Sequence, residues 1–429
     1  MTTECIVILV SILVVIVLGY FLKINYGFLG IIFAFIGGCM ICGFSASKVI
    51  GFWPTRLFFQ MFSVTFFYAF ALNNGTMEAL TKKLVYVSRK SAAMIPFLLF
   101  LVGGVLAGIG PGSISMFLIL VPVIMQVGRQ VGMHPILAAV TASCGINAGA
   151  WGPLAVNGIT IRGLIETSGY SAEQATAFGM VEWRNMAVAS IVIFVIVYLI
   201  TKGWKCHALS AEKPAAFTKE QTRSVALIAI LTALLIIPPA LNSMIGGPAF
   251  KWLATNLDAT FLAILFGVLS IIFKVGDEKK AIANVPWPVI IMVGGMGMLI
   301  SVAAEAGAMT YLSEYISGNL SVAAIPYAIC IVAGVMSVFS STMGVVVPTL
   351  YPIIFAICTA TGASPALLFS IVPISAANAG TSPFSLFGGL AMASTDEKDK
   401  DKMFMYLLIV AIASVLLVCL LTAVGIINS

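Results

Sequence analysis

Four short polar breaks, each set inside apolar sequence, hold the groups with which this chain could do chemistry. Two are the stretches Asn147-Ala148-Gly149-Ala150-Trp151-Gly152-Pro153 and Asn378-Ala379-Gly380-Thr381-Ser382-Pro383. The other two are Gly110-Pro111-Gly112-Ser113 and Ser340-Ser341-Thr342. A helix interrupted at such a break exposes N–H groups at the start of one fragment and carbonyls at the end of the other. The first attract anions and the second attract cations. The side chains on offer are Ser113, Ser115, Asn147, Ser340, Ser341, Thr342, Asn378, Thr381 and Ser382, all neutral hydroxyl or amide groups. Pro153 and Pro383 terminate the two longer breaks. None of the 16 acids or 22 bases falls in a break or in the apolar legs beside Gly110–Ser113 and Ser340–Thr342. A cation here would be held by hydroxyls, amide oxygens and main-chain carbonyls such as those of Gly149 and Gly380. That favours Na⁺ over a proton, which ordinarily needs a titratable group in the membrane. It also favours an anionic solute whose charge the bound cations would balance.

Composition says what surrounds these breaks. The chain has 429 residues, 61% hydrophobic and 9% charged, against about 25% charged in soluble domains. Mean hydropathy is +1.11. The chain is therefore a polytopic integral membrane protein, and soluble enzymes, nucleic-acid binders and disordered scaffolds are excluded. His134 and His207 are the only histidines, which leaves little room for a His-rich metal site. Cys39 and Cys42 form a CxxC inside an apolar helix, where small residues serve helix packing. There is no HExxH, no GxSG and no membrane acid paired with another acid, so nothing points to an intramembrane enzyme. The first apolar stretch lacks a basic leader and an A-x-A site, so it is expected to be a retained helix.

Apolar runs long enough to cross a bilayer lie near 5–22, 27–45, 57–72, 186–201, 223–241, 257–274, 288–304 and 403–427. The paired runs 96–109 with 114–127, and 325–338 with 344–358, are short and predict re-entrant hairpins. Residues 135–165 and 365–394 predict helices broken in mid-crossing. At an offset of 230, Ile95-Pro96 matches Ile325-Pro326, Pro122 matches Pro352, Pro135 matches Pro365 and Pro153 matches Pro383. The chain is an internal duplication. Each half contains an odd number of crossings, so the second is inverted, as in secondary transporters. The expected fold is an all-α polytopic membrane protein of two inverted repeats: about ten transmembrane helices, two re-entrant hairpins and two broken helices. Alternating the sides through that count puts seventeen of the 22 basic residues on one side. Only Lys48, Arg56, Arg162, Arg184 and Lys251 lie on the other. The positive-inside rule makes the first side cytoplasmic and puts both termini outside. Residues 76–90 predict an amphipathic helix along the cytoplasmic surface, with 309–318 as its outer counterpart. Trp151 either narrows the pocket or packs. Glu305 is expected at the interface, and His134 and the charged run 396–402 in solvent.

This order of helices, hairpin, broken helix and repeat resembles the divalent-anion/sodium symporter (DASS-like) family of the ion-transporter superfamily. The Asn-Ala-Gly loops ending in Pro are most similar to its MatC-type dicarboxylate-carrier branch. Family hairpin tips carry Ser-Asn-Thr followed by a leg ending in Pro. Here the tips read Gly112-Ser113-Ile114 and Ser340-Ser341-Thr342, with Pro122 and Pro352 ending the legs, and Asn147 and Asn378 supply the amides from the opposing loops. The resemblance implies a homodimer in the cell (inner) membrane that works as an elevator. Scaffold parts would span 1–90 and 222–318, transport parts 91–201 and 319–429, with a cytoplasmic linker at 202–221.

The expected activity is Na⁺-coupled symport of a small dicarboxylate, malonate or a C4 acid. The alternative is a proton-coupled carrier of a monocarboxylate, hydroxy acid or other organic anion. The candidate substrate contacts are Ser113, Asn147, Pro153, Ser341, Thr342, Asn378, Thr381, Ser382 and Pro383. The candidate ligands for two or more Na⁺ ions are Ser113, Ser115, Asn147, Gly149, Ser341, Asn378 and Gly380. The expected partners are the solute, the lipid bilayer and a second copy of the chain, and no nucleic acid.

Overall fold

The computed structural model describes residues 3–22, 24–88, 92–110, 112–207, 214–245, 247–307, 321–339 and 341–429. Every regular element among them is helical. The first half opens with α1 (Thr3–Leu22) and α2 (Tyr26–Phe35), the latter continued by a wide turn over Ile36–Ile41. Then come the short α3 (Ala46–Gly51), α4 (Thr55–Asn73) and α5 (Thr76–Ser88). A hairpin of α6 (Ile95–Gly108) and α7 (Gly112–Gln130) follows. Next are the two pieces of a broken helix, α8 (Pro135–Ala150) and α9 (Val156–Thr167), and the long α10 (Ala172–Ile200).

The second half repeats the plan. α11 (Lys219–Met244), α12 (Pro248–Asn256), α13 (Ala259–Ile272), α14 (Glu278–Ala283) and α15 (Trp287–Glu305) precede the hairpin. The hairpin is α16 (Ile325–Phe339) and α17 (Val347–Thr361), the latter entered through a wide turn at Thr342–Val346. The second broken helix is α18 (Pro365–Ala379) and α19 (Leu386–Ala393), and α20 (Lys400–Ala423) ends the repeat. Ser and Thr caps set the boundaries. Ser171 with Gln174, and Thr218 with Gln221, form reciprocal capping boxes at the starts of α10 and α11.

The hairpin tips stop at the level of the helix breaks. The Val156 N–H, at the start of α9, donates to the carbonyl of Gly110 at the first tip (3.1 Å). At the other end of the hairpin, α7 turns directly into α8, and the His207 N–H donates to Val131 O (2.7 Å). So α6 and α7 pack chiefly along α8, while α9 continues beyond the break from the level of the hairpin tip. The second half is inverted. The turn after α9 lays Tyr170 against Phe355 of α17 and Phe369 of α18, near the ends where the second hairpin and broken helix begin and finish.

Three expected boundaries shift. The apolar run 186–201 belongs to a helix that starts at Ala172, because Ser171 caps it well before the hydropathy rises. The second hairpin legs are longer than their apolar runs. Gly112–Gln130 and Thr342–Thr361 are both long and apolar enough to cross by length alone. The end of the first lies among charges, with Arg129 paired to Asp396 at 2.5 Å. α5 agrees with the amphipathic reading of 76–90: Met77 is buried, and Glu78 pairs with Lys82 at 2.8 Å. The expected counterpart at 309–318, and Ser340, lie outside the described residues.

Close backbone contact fixes the hairpin on its broken helix. A Cβ on Gly149 of α8 would stand 1.8 Å from the carbonyl oxygen of Gly104 on α6. Gly103 and Gly145 meet in the same seam. Only glycine permits helices to approach so closely.

Candidate functional site

Each tip is shaped by a few local bonds. At the first, Gly112 adopts φ +77, and a Cβ there would press on Asn157 Oδ1 at 3.1 Å. Asn157 Nδ2 donates to Ser113 Oγ (2.9 Å), and the Tyr68 hydroxyl donates to the Ile109 carbonyl. At the second tip, Ser341 Oγ accepts from the Gly344 N–H (3.1 Å), and Thr342 Oγ1 pairs with Ser337 Oγ (3.1 Å).

The two break loops are built differently. In the first, the Gly149 carbonyl accepts from Gly152 N (2.8 Å), Trp183 Nε1 donates to Ala148 O (2.9 Å), and Arg162 Nη2 donates to Pro153 O (2.6 Å). In the second, Asn378 Nδ2 donates back to Ile374 O (2.7 Å) and Thr381 Oγ1 to Asn378 O (2.8 Å). Ser385 Oγ donates to Gly380 O (2.6 Å) and accepts from Gly388 N (2.9 Å), capping α19.

Both tips and both loops meet at one cavity of about 260 Å³. Ser113, Asn147, Ser341, Thr342 and Gly380 line it, together with Trp151, Ser385 and the rings of Phe117, Phe384 and Phe387. No charged side chain is in its lining. Among the described residues, three buried polar atoms here lack a hydrogen-bond partner: Asn147 Nδ2 and Trp151 Nε1 on lining residues, and Asn378 Oδ1, whose residue adjoins the lining at Ala377 but is not part of it. The first two are donors and the third an acceptor. A buried polar atom left unpaired is costly, so such groups mark where a bound species completes the bonding.

Other expected site residues lie elsewhere. Ser115 faces a smaller cavity of about 80 Å³ behind the first tip, shared with Ser113, Thr65, Asn157 and Thr160. Gly149 and Pro153 line a separate cavity of about 1000 Å³ with Arg56, Arg162, Glu166 and Asp258. The Thr381 and Ser382 hydroxyls are engaged inside their own loop, Ser382 Oγ accepting from Phe384 N at 3.2 Å. Pro383 terminates that loop and does not line the central cavity. Sequence reasoning passed over Asn157 and Ser385, although each is a polar residue just after a break and was visible as such. It also kept Arg162 apart from the breaks. The guanidinium folds back from α9 onto the Pro153 carbonyl, which no linear pattern reveals. Glu305 pairs with Lys48 at 2.7 Å. His134 Nδ1 caps α8 by accepting from Ile136 N (3.4 Å), and partial burial holds its imidazole below the ordinary histidine value.

An uncharged pocket bounded by four helix breaks inside a multi-pass helical membrane protein is the arrangement of a carrier for a small solute. Residues 1–150 match the family model described as the dicarboxylate carrier protein MatC N-terminus, and residues 249–429 match the one described as citrate transporter. The two matches fall on different halves of the chain, and together they support a DASS-like transporter of the dicarboxylate or citrate type. Among solved structures it is similar to the YdaH transporter of Alcanivorax borkumensis, described as having an unusual topology. The TM-score is 0.56 at 15% identity, over 86% of this chain and 87% of that one. That likeness is one of fold. No curated protein sequence matches the chain.

Proposed function

We propose that this carrier imports a small dicarboxylate, malonate or a C4 acid, in symport with Na⁺. The observation that carries the reading is the uncharged central cavity with unpartnered donors on one repeat and an unpartnered acceptor on the other. Asn147 Nδ2 and Trp151 Nε1 suit a carboxylate. Ser113, Ser341 and Thr342 add hydroxyls. Asn378 Oδ1, buried and unpaired in the second break, suits a cation, and Ser341 and Gly380 line the cavity next to that break. Ser113, bonded to Asn157, and Ser115 line the equivalent oxygen-rich corner behind the first tip. Two negative charges in a membrane interior are expensive, and no lysine or arginine lines the cavity to meet them. Helix ends supply only about half a charge each, so bound Na⁺ makes up the difference.

The cavity volume suits a solute of a few carbons. Pro153, Thr381, Ser382 and Pro383 serve this reading by holding the loops, and Gly149 by packing. The halves 91–201 and 319–429, which carry the breaks, form the moving body of an elevator-like cycle in a homodimer, with 1–90 and 222–318 as its frame. Uptake of labelled malonate and succinate into proteoliposomes tests the coupling. A Na⁺ gradient should drive accumulation, and replacing Na⁺ by choline should abolish it. Undiminished uptake in choline driven by a pH gradient would overturn Na⁺ coupling in favour of the proton-linked alternative.

A further inference from the structure

Glu182 of α10 is enclosed by protein and has nothing to balance a charge. Its side chain has 0% solvent exposure, and neither Oε1 nor Oε2 has a hydrogen-bond partner. The residues around it tie three elements together. One turn along α10, Asn185 Nδ2 donates to Ser370 Oγ of α18 (2.8 Å) and to the Asn428 carbonyl (2.7 Å). The adjacent Trp183 reaches the first break at Ala148. The elements packed on α10 offer no counter-charge. α8 carries only Cys144, and α18 carries no titratable group. On α9, Arg162 is bonded to Pro153 O, and Glu166 is paired with Arg56. On α10 itself, Glu173 is exposed, and Arg184 is engaged by Asn185 and Asn428. Lys202, Lys205, Lys400, Asp401, Lys402 and Tyr406 sit at the opposite end of the helix. Among the described residues, Tyr351 of α17 is within electrostatic reach, and its hydroxyl is already donated to Phe369 O (2.9 Å).

An isolated ionised carboxylate in such an enclosure is far costlier than the neutral acid. We propose that Glu182 is a proton-binding site of the carrier, filled in the enclosed arrangement seen here and emptied at the stage of the cycle that admits water to it. The proton forms the carboxyl O–H on entry and leaves to a water molecule on exit, so no other reactant is needed. The sign follows by linkage: acid favours this arrangement, and the preference is lost as pH rises. The proton site stands beside the Na⁺ sites and does not replace them. It rests on the carrier reading only where uptake is measured.

Infrared spectra of the purified full-length protein in lipid vesicles, near pH 7, read the group directly. The wild type should show a protonated-carboxyl band that E182Q lacks. If E182Q does not fold, E182D should shift the band. No band in the wild type, or a band untouched by either variant, overturns the proposal. Malonate uptake at a fixed Na⁺ gradient, from about pH 5.5 to about pH 8.5, supplies the functional arm. The ratio of wild-type to E182Q rates should change with pH, by at most about tenfold per unit for one proton. Substrate ionisation is common to both proteins and cancels. Parallel pH profiles overturn a transport role for the proton. The infrared arm needs no substrate, so failure of the carrier reading and failure of the Glu182 reading give different results.

Discussion

Asn147 and Asn378 occupy matching places in the two repeats, yet their amides are left with opposite needs. Asn147 has a free donor at the cavity, whereas Asn378 has spent its donor on Ile374 O and keeps a free acceptor. We predict that Asn147→Ala raises the malonate concentration needed for half-maximal uptake, and that Asn378→Ala raises the Na⁺ concentration needed. Losing one buried partner costs about 1–3 kcal/mol, or roughly 5- to 150-fold in affinity. Uptake titrations of each ligand, alongside a thermal-unfolding check of the folded fraction, would measure both. Wild-type kinetics in both variants would make these packing residues. The polarity of these positions was legible because an amide inside an apolar run stands out. Which atom stays unpaired was not, since it depends on the Ile374 carbonyl one turn away. Glu182 was invisible for a related reason: the apolar run begins only at 186, so the acid read as lying before the helix.

At the scale of the element, the order of helices, hairpins and breaks follows from apolar run length and proline placement. Helix ends do not, because Ser171 and Thr218 start helices in sequence too polar for a hydropathy scan to include. The sequence marks Gly149 as a carbonyl ligand, and the fold adds a use for its missing side chain that no linear pattern shows. Gly149→Ala would place a methyl 1.8 Å from Gly104 O, in a seam with no side chain to yield. We expect it to destabilise the protein by about 1–3 kcal/mol and lower its unfolding temperature. Gly389→Ala, with nothing within 4 Å of the added carbon, should leave that temperature nearly unchanged. Equal unfolding temperatures for the two variants would contradict the contact.

For the whole molecule, inversion of the repeats is the feature with the widest reach, and charge tests it independently of the helix count. Arg129, Lys205, Arg223, Lys274 and Lys400 gather at the end of the bundle where α7, α10 and α13 finish and α11 and α20 begin. Arg56, Glu166 and Asn428 lie at the other end. We predict that single cysteines at 210 and 426, in a background without accessible native thiols, label from opposite sides of the membrane with an impermeant reagent. Labelling from one side would sink the inverted arrangement. Duplication was legible because prolines and glycines recur at a fixed offset. The gathering of all four breaks around one cavity was only implied by symmetry, since no sequence signal says which tips touch.

The two repeats furnish that cavity unequally: Asn147 and Trp151 of one line it with unpaired donors, whereas the unpaired Asn378 Oδ1 of the other lies in the adjoining break, next to the lining residue Ala377. A bound molecule therefore meets different groups at its two ends, even when those ends are chemically identical. The consequence is stereochemical. A symmetric diacid bound there would be held as a handed object, and a substituent on its carbon chain would point toward different walls in the two mirror-image forms. The D and L forms of a 2-hydroxy diacid should therefore compete with malonate uptake at unequal concentrations, whereas equal potency would mean that the pocket senses charge and length alone.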